Sequence, residues 1–201
     1  MSELQLNDLQ RDPLREVGNI GAGHSATALS TLLDTRINLT TPHVEIIKFR
    51  DLSSKLHYDN STVAVLHMYV HGAAPSRIVV MFDRQQASEF VDAFIKRLIG
   101  NIHMFDSIKD STLMELGNII AGSYLTAIID LTGVPLTLSV PTLAYGTVDS
   151  ALPQLMKIVP DQDVFLIENS FLDKDKEING QFLLIPESGS IAPLLAVFGV
   201  N

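Results

Sequence analysis

DPLREVGNIGAGHSATALSTLLDTRINLTTP, residues 12–42, returns 99 residues later as STLMELGNIIAGSYLTAIIDLTGVPLTLSVP, residues 111–141. No gap is needed. Leu14, Glu16, Gly18, Asn19, Ile20, Ala22, Gly23, Thr27, Ala28, Leu32, Leu39 and Pro42 meet identical residues. Their partners are Leu113, Glu115, Gly117, Asn118, Ile119, Ala121, Gly122, Thr126, Ala127, Leu131, Leu138 and Pro141. Unrelated segments of this length would share about two identities. Two copies at so long a period mark a duplicated domain half rather than a solenoid.

The flanking sequence extends the duplication. Thr62–His71 and Ser76–Phe82 are β-rich runs around a Gly72-Ala-Ala-Pro75 turn signal, and a helical stretch, Arg84–Leu98, follows. In the second half, Asp163–Leu172 and Gln181–Ile185 are the β-rich runs. The polar linker Asp173–Gly180 joins them, with Asn179-Gly180 as its turn signal, and an apolar stretch to Val200 is read as helical. Each half thus reads as a long helix, a short strand, further strands and a helix. The expected fold is α/β with internal duplication and pseudo-two-fold symmetry. Its two long helices pack on a mixed β-sheet shared by both halves. The whole chain, 1–201, is expected to form a single domain of two repeats, about 7–100 and 106–200, with a junction near Gly100–Asp106.

The long helices are expected at Asn7–Leu33 and Asp106–Leu131, with Asn7 and Asp106 as N-caps. Pro13 is compatible with two readings. Either it sits in the first turn with Asp12 as cap, or it interrupts a longer helix. Asp12, Glu16 and Asn19 stand at i, i+4 and i+7, one stripe of a helix, and Ser111, Glu115 and Asn118 repeat that spacing. Leu14, Val17, Ile20 and their counterparts lie on other faces and can turn to a core. Gly18, Gly21, Gly23, Gly117 and Gly122 each weaken a helix by roughly 1 kcal/mol relative to alanine. Close packing of the repeated helices, or close approach of a partner's backbone, would offset that cost. A single Glu and Asn on a helix are ordinarily just solvated surface. The same pair at the same place in both halves is harder to explain that way.

Composition narrows the partners. Lys and Arg total 14 against 23 Asp and Glu, a net charge of −9, which disfavours nucleic acid or an anionic membrane as the main partner. With no cysteine, thiolate metal sites and disulfides are excluded. The first residues lack the basic-then-apolar pattern of a signal peptide, and no long uninterrupted apolar run suggests a membrane span. The expectation is a cytoplasmic monomer. Gly21, Gly23 and Ala26 fit G-x-G-x-x-A, but no β-strand precedes them, so a dinucleotide loop is not expected. The six histidines show no metal-ligand spacing. His67 and His71 are four apart, but in a strand. No metal is expected.

The pattern Asp/Ser-x3-Glu-x2-Asn-x22-Pro resembles the signature of the CheC/CheX/FliY family of chemotaxis phosphatases. Asp12, Glu16, Asn19 and Pro42 match it, as do Ser111, Glu115, Asn118 and Pro141. The string Leu14-Arg-Glu-Val-Gly-Asn-Ile-Gly-Ala-Gly-His24 is similar to the family's helix beyond the bare motif. Two motifs in a chain of this length match the CheC branch better than single-motif CheX or multidomain FliY. The resemblance implies a phosphatase acting on the aspartyl phosphate of a CheY-like response regulator. Asn19 and Asn118 would orient the attacking water, and Glu16 and Glu115 would pair with the regulator's lysine. Asp12 and Ser111 would be auxiliary, and Pro42 and Pro141 would place the strand that follows each helix. The protein would need no cofactor of its own, because magnesium sits in the regulator's active site. The deamidase CheD is the second implied partner. The competing reading is a non-catalytic adaptor or sink that binds phosphorylated CheY and CheD.

Overall fold

The computed structural model describes residues 8–34, 36–39, 43–56, 58, 61–99, 106–157, 159–173, 176–187 and 196. The first half contains α1 (Asp8–Leu33), β1 (Ile37–Leu39), β2 (His43–Lys48), a 3-10 turn at Phe49–Asp51, α2 (Leu52–Lys55), β3 (Val63–Gly72), β4 (Ser76–Asp83) and α3 (Arg84–Ile99). The second contains α4 (Asp106–Thr132), β5 (Leu136–Leu138), β6 (Thr142–Gly146), α5 (Val148–Leu155), β7 (Asp163–Asp173) and β8 (Lys176–Pro186). Helix–strand–strand–hairpin thus occurs twice. The expected C-terminal helix to Val200 falls almost wholly outside the described residues.

One eight-stranded sheet runs β1-β7-β8-β4-β3-β5, with β2 also on β7 and β6 also on β3. The short strands of each half pair with the hairpin of the other. β1 and β2 lie along β7, and β5 and β6 lie along β3. The two hairpins meet at β4–β8, with Ile78 opposite Leu184 and Val80 opposite Phe182. This exchange makes the halves equivalent by a pseudo-two-fold relation between β4 and β8.

Every described strand pair is antiparallel, where the sequence suggested a mixed sheet. The cause is connectivity. β3–β4 and β7–β8 are antiparallel pairs whose strands are joined by only three and two residues, too few to join parallel neighbours. The first turn requires Gly72, whose φ is +133° and where a Cβ would lie 2.6 Å from the Pro135 carbonyl oxygen. The second hairpin differs from expectation. Asn179 and Gly180 are not its turn but lie inside β8, opposite Ser170 and Asn169, and pairing continues to Asp173–Lys176. A strand reaching to Lys176 supports β7 where β1 adds to it, at Ile37↔Asp173.

Both faces of the sheet are covered, so its central strands are apolar throughout rather than alternating. Ile78, Val80 and Phe82 of β4 join a core under α1, α3 and α4, while Val79 and Met81 join a second core under α2 and α5. Helix α4 is apolar and long enough, over Ile108–Thr132, to cross a membrane by length and composition alone. More than half of it is packed inside this fold, which accounts for that character.

Pro13 is the sixth residue of α1, past its first turn, so the longer-helix reading is the correct one. Its ring removes the backbone donor that would have bonded to Leu9. The expected N-cap Asn7 falls outside the described residues, and Asp106 is the first residue of α4.

Candidate functional site

α1 and α4 pack side by side on the sheet. Each turns an apolar face inward. Val17, Ala22 and Leu29 of α1, and Leu113, Leu116 and Ile120 of α4, are buried. That burial fixes the rotation of each helix and leaves the motif stripe facing out. Glu16 and Asn19 are exposed. Ser111 and Glu115 are exposed, and Asn118 is half-buried. Among the described residues, the side chains of Glu16, Asn19, Glu115 and Asn118 make no hydrogen bond or ion pair. Both pairs are therefore free to bind something outside the chain. Asp12 lies on α1, one turn before Glu16.

Pro42 falls outside the described residues. Pro141 does not directly follow its helix. It stands between β5 and β6, immediately before β6. Leu138 pairs with Val70 and Thr142 with His67, so four steps on this edge span three on β3. A proline, lacking an N–H, suits such a break in an edge strand. Ser139 bridges the gap: its Oγ accepts from the Tyr69 N–H at 2.9 Å, and its own N–H donates to the Tyr69 carbonyl at 2.9 Å. The same irregularity separates β1 from β2, where Leu39 pairs with Phe171 and His43 with Glu168.

The motif glycines divide by what surrounds them. A Cβ on Gly21 would fall 2.3 Å from the Tyr124 ring of α4, and one on Gly117 would fall 2.9 Å from the Leu66 side chain of β3. Those two glycines let α1 meet α4 and α4 meet the sheet. A Cβ on Gly23 or Gly122 would meet nothing within 4 Å. Neither has a positive φ, so neither packing nor backbone conformation requires them. The sequence alone does not separate these two kinds.

A cleft of about 360 Å³ opens between α3, α4 and β6, lined by Arg84, Ser88, Lys109, Asp110 and Tyr145 among others. Arg84, Lys109, Asp110 and Tyr145 are already engaged with protein partners. Arg84 lies over the Tyr145 ring, 4.8 Å from its centroid, and the Tyr145 hydroxyl donates to Asp110 at 2.6 Å. Lys109 pairs with Asp92 at 2.6 Å. On α4 the cleft residues Lys109 and Leu113 lie on the far side from Ser111 and Glu115. The Glu/Asn faces therefore occupy an outward helical surface rather than a concave ligand pocket. That suits a macromolecular partner that brings its own recessed site.

The other readings resolve simply. Gly21, Gly23 and Ala26 sit in the middle of α1, so no strand–loop–helix nucleotide cradle exists there. His67, Tyr69 and His71 line one side of β3. The His67 and Tyr69 rings meet edge-on at 4.6 Å, and those of Tyr69 and His71 stack at 6.3 Å. Burial, with a contribution from the Arg77 guanidinium, pushes the His67 imidazole down to about 4. No cluster of three potential metal ligands occurs among the described residues.

Two repeated helices with matched outward Glu/Asn pairs, over a strand-exchanged sheet, define a duplicated helix-faced scaffold. A family model described as the CheC-like family matches residues 9–46 and 108–145, the two helix-to-strand segments. The chain is 32% identical to the CheY-P phosphatase CheC of Bacillus subtilis (strain 168), covering 98% of this chain and 97% of that protein. It is also 30% identical to the flagellar motor switch phosphatase FliY of the same organism, over 68% of this chain and 35% of that longer protein. The chain belongs to the CheC-like family. Among solved structures, FliY of Thermotoga maritima superposes with a TM-score of 0.76 at 22% identity, with 98% of each chain covered. The FliM middle domain of H. pylori superposes with a TM-score of 0.71 at 10% identity, covering 96% of this chain and 99% of that one. At such identities these two show a common fold.

Proposed function

We propose that this protein is a phosphatase of chemotaxis signalling that hydrolyses the aspartyl phosphate of a CheY-like response regulator, with one site on α1 and one on α4. The observation that carries this reading is the pair of unpartnered Glu/Asn faces at identical register on two helices whose other faces are buried. Membership of the CheC-like family supports it.

An aspartyl phosphate in a regulator is already activated. The regulator supplies the magnesium and the lysine that neutralise the phosphoryl oxygens, so the phosphatase needs no cofactor. What remains is to hold a water in line with the leaving carboxylate. A neutral amide can accept a hydrogen from that water through its oxygen and donate elsewhere through its nitrogen. Asn19 and Asn118 take that role. Glu16 and Glu115, one turn back on the same faces, pair with the regulator's lysine and orient the docked surfaces. Asp12 and Ser111 extend each face by a further turn. CheD is a second partner in this reading, and the protein works in the cytoplasm as a monomer, since one chain carries both sites.

Loss of phosphoryl from a phosphorylated CheY with magnesium, at one-tenth the regulator concentration, tests the reading. Multiple turnovers that persist in Asn19→Ala and in Asn118→Ala but vanish in the double variant are expected. Tight binding of the phosphorylated regulator with no acceleration, with or without CheD, would make the protein an adaptor instead.

A further inference from the structure

Gly23 and Gly122 repeat on the motif faces, and no packing inside the fold requires a glycine at either. Each lies four residues beyond its asparagine and seven beyond its glutamate, on the same stripe. Each sits inside a long helix, where glycine is among the poorest residues. Their neighbours Gly21 and Gly117 have a steric reason in Tyr124 and Leu66. Gly23 and Gly122 have open space instead, and helical backbone that alanine would adopt freely. A fold selected for stability alone would carry alanine at both positions. Glycine stands at both, on the outward surface and next to the partnerless asparagines.

We propose that Gly23 and Gly122 determine docking at the two sites, each leaving a notch beside the asparagine that receives the main chain of the response regulator. This rests on the phosphatase reading above. An asparagine carries its amide only one methylene beyond the backbone. To place that amide against a water inside a recessed site, the helix itself must come down onto the rim. The position one turn further on, about 6 Å along the axis, then meets the rim too. A side chain there would hold the helix off, and its absence lets the asparagine reach.

The test is the doubly substituted Gly23→Ala/Gly122→Ala protein, with a bulkier Gly23→Gln/Gly122→Gln protein as the graded second. Ser88→Ala, on the exposed face of α3, controls for general helix stiffening. Each Gly→Ala change is expected to raise the melting temperature by about 2–4 °C. The KM for phosphorylated regulator should rise by about fivefold to a hundredfold and kcat should fall with it, both more for Gln than for Ala. Ser88→Ala should leave both constants unchanged. A raised melting temperature with an unaltered KM would overturn the proposal. So would a lowered melting temperature, because the glycines would then serve the fold. Asn19→Ala/Asn118→Ala, assayed beside them, separates the two failures. Wild-type turnover in that variant sinks the phosphatase reading and the notch with it, whereas lost turnover there beside an unaltered KM in the glycine variants sinks the notch alone.

Discussion

Helix α1 carries Gly21 and Ser25 on its inner face, where α4 carries Ile120 and Tyr124 at the equivalent positions. The outer faces, by contrast, repeat Glu, Asn, Gly and Thr in the same order: Glu16, Asn19, Gly23 and Thr27 against Glu115, Asn118, Gly122 and Thr126. The inner difference is complementary. Tyr124, fully buried and stacked on Phe182 at 4.1 Å, fills the space that Gly21 leaves. Two identical bulky faces would collide at the helix pair, and two identical small ones would leave a void. After duplication, then, the interior had to break symmetry in order to pack. The surface had no such pressure, and its persistence in both copies accords with the docking role proposed for it. The sheet shows the same contrast. His67 on β3, opposite Thr142, is equivalent to Glu168 on β7, opposite His43. The first is a buried neutral imidazole and the second a half-exposed carboxylate.

The largest effect is expected at Tyr124. Tyr124→Ala should cost about 3–5 kcal/mol in urea unfolding, as large aromatic truncations do. Ser25→Ala, the equivalent change in the first repeat, should cost far less. Equal costs would mean that the two interiors are not complementary. On the outer faces, Asn19→Ala/Asn118→Ala should lower phosphatase turnover by about 10²-fold or more with stability unchanged. The single variants then show whether half-buried Asn118 and exposed Asn19 contribute equally.

Gly21→Ala should destabilise by about 1–3 kcal/mol, because its Cβ enters the Tyr124 ring. Adding Tyr124→Ala should make the pair of changes less than additive. Strict additivity would show that the two residues do not share a space. A pH-dependent effect belongs to His67. Its pKa is depressed to about 4 from an ordinary 6.5, so the unfolded chain holds more protons between those values. Stability should therefore fall as pH drops from about 6.5 toward 4, by at most about 1.4 kcal/mol per pH unit. His67→Gln should remove that share of the slope, seen as a smaller shift of the urea midpoint between pH 7 and pH 5. An unchanged shift would place the buried proton elsewhere.

Local patterns in the chain are enough to read the duplication, the two long helices, the β3–β4 hairpin with α3, and the residues of both outward faces. These are encoded locally. Helical spacing puts Glu16 with Asn19 and Glu115 with Asn118 on one stripe whatever the rest of the chain does. Strand exchange between halves was not legible, because pairing β1 with β7 joins residues more than 130 positions apart and leaves no local pattern. Beyond the short strand expected after each long helix, β2, β6 and helix α5 were not legible for a similar reason, since they are held by what they pair with or cover. Asn179-Gly180 reads as a turn in any short window, yet it is drawn into β8 by pairing along β7. Only the tertiary structure separated the glycines that admit a neighbouring side chain, Gly21 and Gly117, from those that face open space, Gly23 and Gly122. A glycine's neighbours across a helix interface are set by packing, and no spacing along the chain records them.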